Sequence, residues 1–314
     1  MTDTSRIRVL LGPQSPVPNI AEALASAGFP QGQLAVVSAA WQEGEGDIDE
    51  IRTVLGRPIE DLYLYRREEE LLAGNPDLAA AARSRQDRLI EQQKMYRLRL
   101  KQLSNAARLM MSAEGDSELV AAEQRHAIAQ LRALDRHHLH RSEAIWRGFT
   151  DRCNPESSPA LAQHMQEIGD IIERCQGVVI TGGNVAVLVN RLRLFGVDRL
   201  LYGCNIVAWS AGAMALADRI VLFHDRSPEG RRDAEVLGAG CGVIPGYVFL
   251  PDTRRRLKTG DRRRVSLLSR RFAPNLCVAL DRGTQLHLDD TRVTPASTAR
   301  TLGINGRLLR LRTA

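Results

Sequence analysis

The chain has 314 residues, 44% hydrophobic, 25% charged and only 4% aromatic, which is the make-up of a folded globular protein and excludes wholesale disorder and low-complexity classes. The net charge of +6 is local: residues 250–271 hold nine basic residues against Asp252 and Asp261, and the rest of the chain sums to −1. That cluster has no aromatic interleaving and no helix-turn-helix or zinc-finger pattern, so it reads as a solvated basic face or an anion-facing rim, not a nucleic-acid surface.

The first 65 residues alternate strands and helices. An apolar run at 7–11 ends at Gly12-Pro13, and Asn19 stands as N-cap of a short helix closed by Gly28. A second strand covers 34–38. Asp47 starts a helix ended by Gly56, and 61–65 (DLYLY) reads as a third strand. Strands separated by short helices predict parallel pairing with crossover helices.

Residues 77–111 contain no proline or glycine, and Leu89, Tyr96, Leu100, Leu103, Ala107 and Met110 form one apolar stripe at helical spacing. Glu114-Gly115-Asp116-Ser117 breaks this helix and caps a second one running to about Phe149, with Val120, Ile128, Leu131, Leu134 and Ile145 on one side. Two helices of ~30 residues, each ~45 Å long, form an αα-hairpin longer than one sheet face needs. The expectation is a hairpin that packs on itself or on a second copy, giving a homodimer; a substrate-gating lid is the sharper alternative. Residues 151–159 read as a linker. The α/β pattern then resumes: helix 161–175, strand 177–181, helix 184–195 stopped by Gly196, and strand 205–209 followed at once by a small-residue helix from Ala211. The expected organisation is one α/β domain (1–67 and 151–314) of three layers around a mostly parallel sheet, with the hairpin (68–150) inserted. Asn305-Gly306 between apolar flanks predicts a type I′ hairpin near the end.

No apolar run approaches the ~20 residues that span a bilayer, and the opening MTDTSRIRVLLGPQSP carries no signal-peptide core. Five scattered cysteines with no CxxC pair imply reduced thiols. These features point to a cytoplasmic protein without metal or cofactor.

Two segments carry the chemistry. In IVAWSAGAMAL, a strand runs into Ser210 and Ala211-Gly212-Ala213 open a helix, the pattern of a nucleophile elbow; Ala208 stands where the usual glycine is found. The competing reading is a serine that caps the helix. In VVITGGN, a buried strand ends in Gly182-Gly183-Asn184 before a helix, which exposes backbone N–H groups able to bind an oxyanion or a carboxylate. No GK[ST] follows, so this is not a phosphate-binding loop.

With Gly183 and Ser210 separated by 27 residues, and with AEVLGAGCGVIPG and NLCVALDRGTQLHL downstream, residues 161–290 resemble the dipeptidase E and cyanophycinase-like serine peptidases, which have the class I glutamine amidotransferase-like fold. The hairpin lies outside the resemblance. It implies Ser210 as nucleophile, with Gly183, Asn184 and the amide of Ala211 as oxyanion hole. It also implies a histidine base shortly after Pro245-Gly246, but Asp252 stands there, and no histidine lies between His224 and His287. Asp281 matches the acidic partner, His224 is the candidate substitute base, and Arg254 and Arg255 suit an acidic peptide or other small acidic ligand. His287 reads as structural; His137, His138 and His140 reach the site only if the hairpin folds over it. A carboxylate is poorly matched to deprotonating a serine near neutral pH. The expected function is therefore a hydrolase of peptide or isopeptide bonds, weakly active; the alternative is a catalytically silent homologue that binds or assembles.

Overall fold

A computed structural model describes residues 5–153, 158–225 and 233–311. The chain opens with β1 (Ile7–Leu11), α1 (Ile20–Ser26), β2 (Leu34–Val37), α2 (Asp49–Leu55) and β3 (Ile59–Asp61). Then come α3 (Leu64–Gly74) and two long helices, α4 (Pro76–Met110) and α5 (Ser117–Thr150). The second α/β stretch has α6 (Pro159–Arg174), β4 (Val178–Ile180), α7 (Val185–Leu194), α8 (Val197–Leu200), β5 (Ile206–Trp209), α9 (Ala211–Leu216) and β6 (Arg219–Leu222). It continues through β7 (Glu235–Ala239), β8 (Tyr247–Pro251), α10 (Thr253–Arg256), α11 (Arg262–Phe272) and β9 (Leu276–Leu280). The last strands are β10 (Gln285–Asp289), β11 (Arg292–Val293), β12 (Arg300–Leu302) and β13 (Leu308–Arg310).

The fold is mixed α/β around a mostly parallel seven-stranded sheet of order β11-β10-β1-β5-β4-β2-β3. The five strands from β1 to β3 pair in parallel, and β10 and β11 add an antiparallel edge. The central strands are buried on both faces, so they read as continuous apolar runs. A four-stranded sheet (β13-β12-β9-β8) and a two-stranded ribbon (β6-β7) complete the strands.

Three sequence expectations change. The DLYLY segment is not a strand. The strand ends at Asp61, whose carboxylate accepts the Tyr63 N–H at 2.9 Å, and Tyr63 takes a left-handed turn at φ 51. The Glu45 carboxylate then accepts the N–H groups of Tyr65 and Arg66, each at 2.8 Å, and so caps α3 from 20 residues upstream. The tail hairpin forms, but Leu302 faces Leu308 across a five-residue loop; Gly306 alone of the Asn-Gly pair has positive φ, and the Asn305 side chain accepts the Arg307 N–H instead. Asn19 does not cap α1 through its side chain, which accepts from Gln14 at 2.8 Å. Of the expected linker 151–159, residues 154–157 lie outside the described residues, and Ser158 caps α6.

Of the two hairpin caps, the one at Asp116 was expected from the sequence and the one at Asn75 was not. Asn75 accepts the Leu78 N–H ahead of Pro76, and Asp116 accepts those of Glu118 and Leu119. Its apolar stripe is not left for another copy: Tyr96, Leu100, Ala107, Ile128, Leu131 and Leu134 are buried in one cluster with Phe223, Val236, Val265 and Phe272 of the same chain. A buried network seals this contact. The Arg271 guanidinium donates to Asp135 (2.6 and 2.8 Å), to the Tyr96 hydroxyl (2.9 Å) and to the Ala234 carbonyl (2.6 Å). Tyr96 donates to Asp135 at 2.8 Å and accepts the Val236 N–H at 3.0 Å. Burial opposes the Arg271 charge, but Asp135 and Tyr96 outweigh it and raise its pKa.

Candidate active site

The strand-to-helix turn at Ser210 is tightly constrained. β5 lies between β1 and β4, and at its carboxyl end Ser210 adopts φ 50, ψ −114. A non-glycine residue there costs ~1–3 kcal/mol and persists only where its surroundings enforce it. The Ser210 N–H donates to the Leu11 carbonyl at 3.3 Å, and its carbonyl accepts the Met214 N–H at 3.1 Å. The Ser210 hydroxyl makes no cap bond to α9, so the capping reading of this serine falls away. The helix follows tightly because Gly212 lies on the end of β4: a Cβ there would sit 2.4 Å from the Ile180 carbonyl oxygen and 2.8 Å from that of Thr181.

The Gly-Gly loop closes on the same turn. A Cβ on Gly182 would stand 3.0 Å from the Ser210 Cβ, which places the two segments side by side. Gly183 has φ 133, and a Cβ there would meet the Ala40 carbonyl oxygen at 2.5 Å. Its N–H and that of Ala211, the first residue of α9, have no backbone acceptor among the described residues. The Asn184 side-chain oxygen accepts the Ala186 and Val187 N–H groups at 3.1 and 3.2 Å and caps α7, and its N–H donates to the Ala40 carbonyl at 2.9 Å.

These elements line a cleft of about 650 Å³, as strand ends commonly do in open α/β sheets. Gly183, Ser210, Ala211, His224, Asp252 and Arg255 all face it; Asn184, Arg254 and Asp281 do not. His224 is exposed just past β6. Its neighbour Asp225 is buried and anchored: Arg264 binds its carboxylate at 2.6 Å, and the Lys258 N–H donates to it at 3.1 Å. Asp252 follows β8 in a left-handed turn, φ 56, with its N–H on the Leu280 carbonyl at 2.9 Å. Asp281 accepts the Arg254 N–H at 2.8 Å and lies 3.6 Å from that guanidinium, so the two residues engage each other beside the cleft.

The other histidines stand apart. His287 is buried, with Nε2 2.8 Å from the Gln285 side-chain oxygen, and burial lowers its pKa. His138 is buried in the hairpin and stacked on Tyr96 with ring centroids 4.2 Å apart; burial lowers its pKa too. His137 shares an outer groove of the hairpin with it. Among the described residues, no group of three or more His, Cys, Asp or Glu side chains could hold a metal ion, and no helix is long and apolar enough to cross a membrane.

The cleft also contains residues that sequence reasoning missed. Asp233, Glu235, Arg256 and Arg282 line it. No motif marks them: Asp233 and Glu235 take their meaning from Arg108 and Arg97, more than 120 residues upstream. A weak signal existed only for Arg256 and Arg282, as members of the basic cluster and of the segment after Asp281.

No family model and no curated protein matches the chain in sequence. Among solved structures, it is similar to a peptidase from an acI-B1 actinobacterium, with 14% identity, 99% of this chain and 95% of that one covered, and a TM-score of 0.45. It is also similar to a "Putative Peptidase E Protein" from Listeria monocytogenes EGD-e, with 9% identity, 95% and 100% covered, and a TM-score of 0.43. At these values the likeness is loose, and the functional reading stands on the geometry of the site.

Proposed function

We infer that this chain is a serine hydrolase acting on peptide or isopeptide bonds of acidic substrates, with the fold and elbow of the dipeptidase E and cyanophycinase-like peptidases. One observation carries the reading: Ser210 is held at φ 50 at the carboxyl end of a central strand, its hydroxyl unused by the following helix, beside a glycine loop and at a cleft. Strain of this kind collects where a side chain must be presented rather than packed.

In this reading the Ser210 oxygen attacks the acyl carbon while a base takes its proton. The developing oxyanion is met by the N–H groups of Gly183 and Ala211, and the amine leaves with the proton. His224 is the base we favour over Asp252, because an imidazole has one nitrogen that can take the serine proton and hand it on to the leaving amine. Arg255, Arg256 and Arg282, which form no ion pair among the described residues, receive the acidic group of the substrate.

One observation favours the silent alternative. Among the described residues no side chain orients the His224 imidazole, and Asp281 is engaged by Arg254. A protein that binds an acidic ligand without cleaving it would look the same. Labelling by a fluorophosphonate separates the two. Covalent labelling of wild type that is lost in Ser210→Ala supports the hydrolase. A folded wild type that takes no label defeats it.

A further inference from the structure

Among the described residues, the charged side chains that line the cleft balance one another. Asp233, Glu235 and Asp252 bring three negative charges, and Arg255, Arg256 and Arg282 bring three positive ones. Counted alone, such a surface has no preference for the sign of its ligand.

Two residues outside the cleft change that balance, and both belong to α4 of the inserted hairpin. Arg97 holds the Glu235 carboxylate with Nε at 2.6 Å and Nη2 at 2.9 Å. Arg108, in the last turn of α4, pairs with Asp233, which Arg264 also approaches at 3.9 Å. Both acids are largely covered, with side chains 16% exposed, so the pairs are shielded from full solvent screening on one side. The same helix fixes the strand that carries Glu235: the Gln93 amide donates to the Val236 carbonyl at 3.2 Å, and Tyr96 accepts the Val236 N–H. The hairpin therefore supplies two positive charges to the acidic side and holds that side in place. The three cleft arginines have no such counter-charge, since they form no ion pair among the described residues.

We propose that Arg97 and Arg108 are specificity-determining residues: by cancelling Glu235 and Asp233 from behind, the inserted hairpin makes the cleft select anionic ligands. The proposal rests on the reading of the cleft as a ligand site but not on Ser210 being reactive. Neither arginine touches the ligand; each acts through the acid that it neutralises.

Calorimetric titration of succinate, and of its neutral diamide, into the full-length protein tests this. Wild type binds succinate better than the diamide. Arg97→Ala/Arg108→Ala weakens succinate roughly fivefold per arginine at low salt and leaves the diamide unchanged, the size expected for a unit charge uncovered ~8 Å away at an intermediate dielectric. The difference shrinks at 0.5 M salt. Adding Asp233→Asn and Glu235→Gln to that variant restores succinate binding, because the formal charge of the region returns to that of wild type. Equal loss of both ligands, or a fourfold variant that stays weak, shows a merely structural role and overturns the proposal. So does a wild type that does not prefer succinate. Fluorophosphonate labelling on the same samples reports Ser210 separately, so a silent enzyme that still selects succinate keeps this inference while the hydrolase reading fails.

Discussion

Asp135→Asn is the sharpest perturbation of the contact between the hairpin and the rest of the chain. Arg271 and Asp135 are both almost wholly buried, and their pairing is the only charge compensation that Arg271 has among the described residues. Replacing the carboxylate by an amide leaves a buried guanidinium without a counter-charge, which costs ~3–5 kcal/mol. For 314 residues the unfolding entropy is ~0.7 kcal/mol per degree, so the midpoint should fall by roughly 4–7 °C. Differential scanning calorimetry and urea unfolding both read this. Asp135→Leu combined with Arg271→Met should recover at least half of the loss, since removing both charges removes the uncompensated one; the Ala234 carbonyl then lacks its donor and the Tyr96 hydroxyl proton its acceptor, which keeps recovery incomplete. If Asp135→Asn costs less than ~1 kcal/mol, or the double variant shows the summed losses of the singles, the network does not hold the hairpin in the way described.

Gly212→Ala should leave a folded protein with little or no fluorophosphonate labelling, because its Cβ would press on two carbonyl oxygens at the end of β4 and tilt α9 away from Ser210. If Ser210 is labelled with His224 as base, His224→Asn should slow labelling by ~10² or more while Asp252→Asn has a smaller effect; the reverse order of rates would assign the base to Asp252. Burial lowers the folded-state pKa of both His138 and His287. Their contribution to stability is therefore full above the unfolded value of ~6.5 and is lost as pH falls through the lowered folded values. His287→Gln should flatten the fall in urea midpoint between pH 7.5 and 5, and an unchanged slope would remove it as a contributor. A hairpin-mediated homodimer remains our expectation from Met95, Leu98 and Leu109, which are 54%, 64% and 61% exposed on α4. Sedimentation should show a dimer that Leu98→Asp/Leu109→Asp converts to monomer, and a monomeric wild type at micromolar concentration rejects it.

Part of the structure decided within a few residues was legible beforehand, although the Asn19 cap and the Asn305-Gly306 turn, equally local, formed differently. The cap at Asp116 involves N–H groups two and three positions away, and the Ser210 turn is encoded by a strand meeting Ala-Gly-Ala with no intervening loop. The 27-residue separation of Gly183 and Ser210 spans the crossover through α7 and α8 between adjacent strands, so it too follows from local elements. DLYLY misled because its alternation is real, yet the start of α3 is set by a carboxylate 20 residues upstream. The buried stripe of the hairpin showed that those helices need a partner, but apolar side chains carry no address, and only packing reveals that Val236, Val265 and Phe272 are that partner. The charge of the cleft was hidden for the same reason. Arg97 and Glu235 are 138 residues apart, each unremarkable in its own segment, and an ion pair leaves no periodic trace along a chain. Local backbone geometry thus declared where Ser210 would stand, whereas the charges that surround it depend on long-range contacts that exist only after the hairpin has docked.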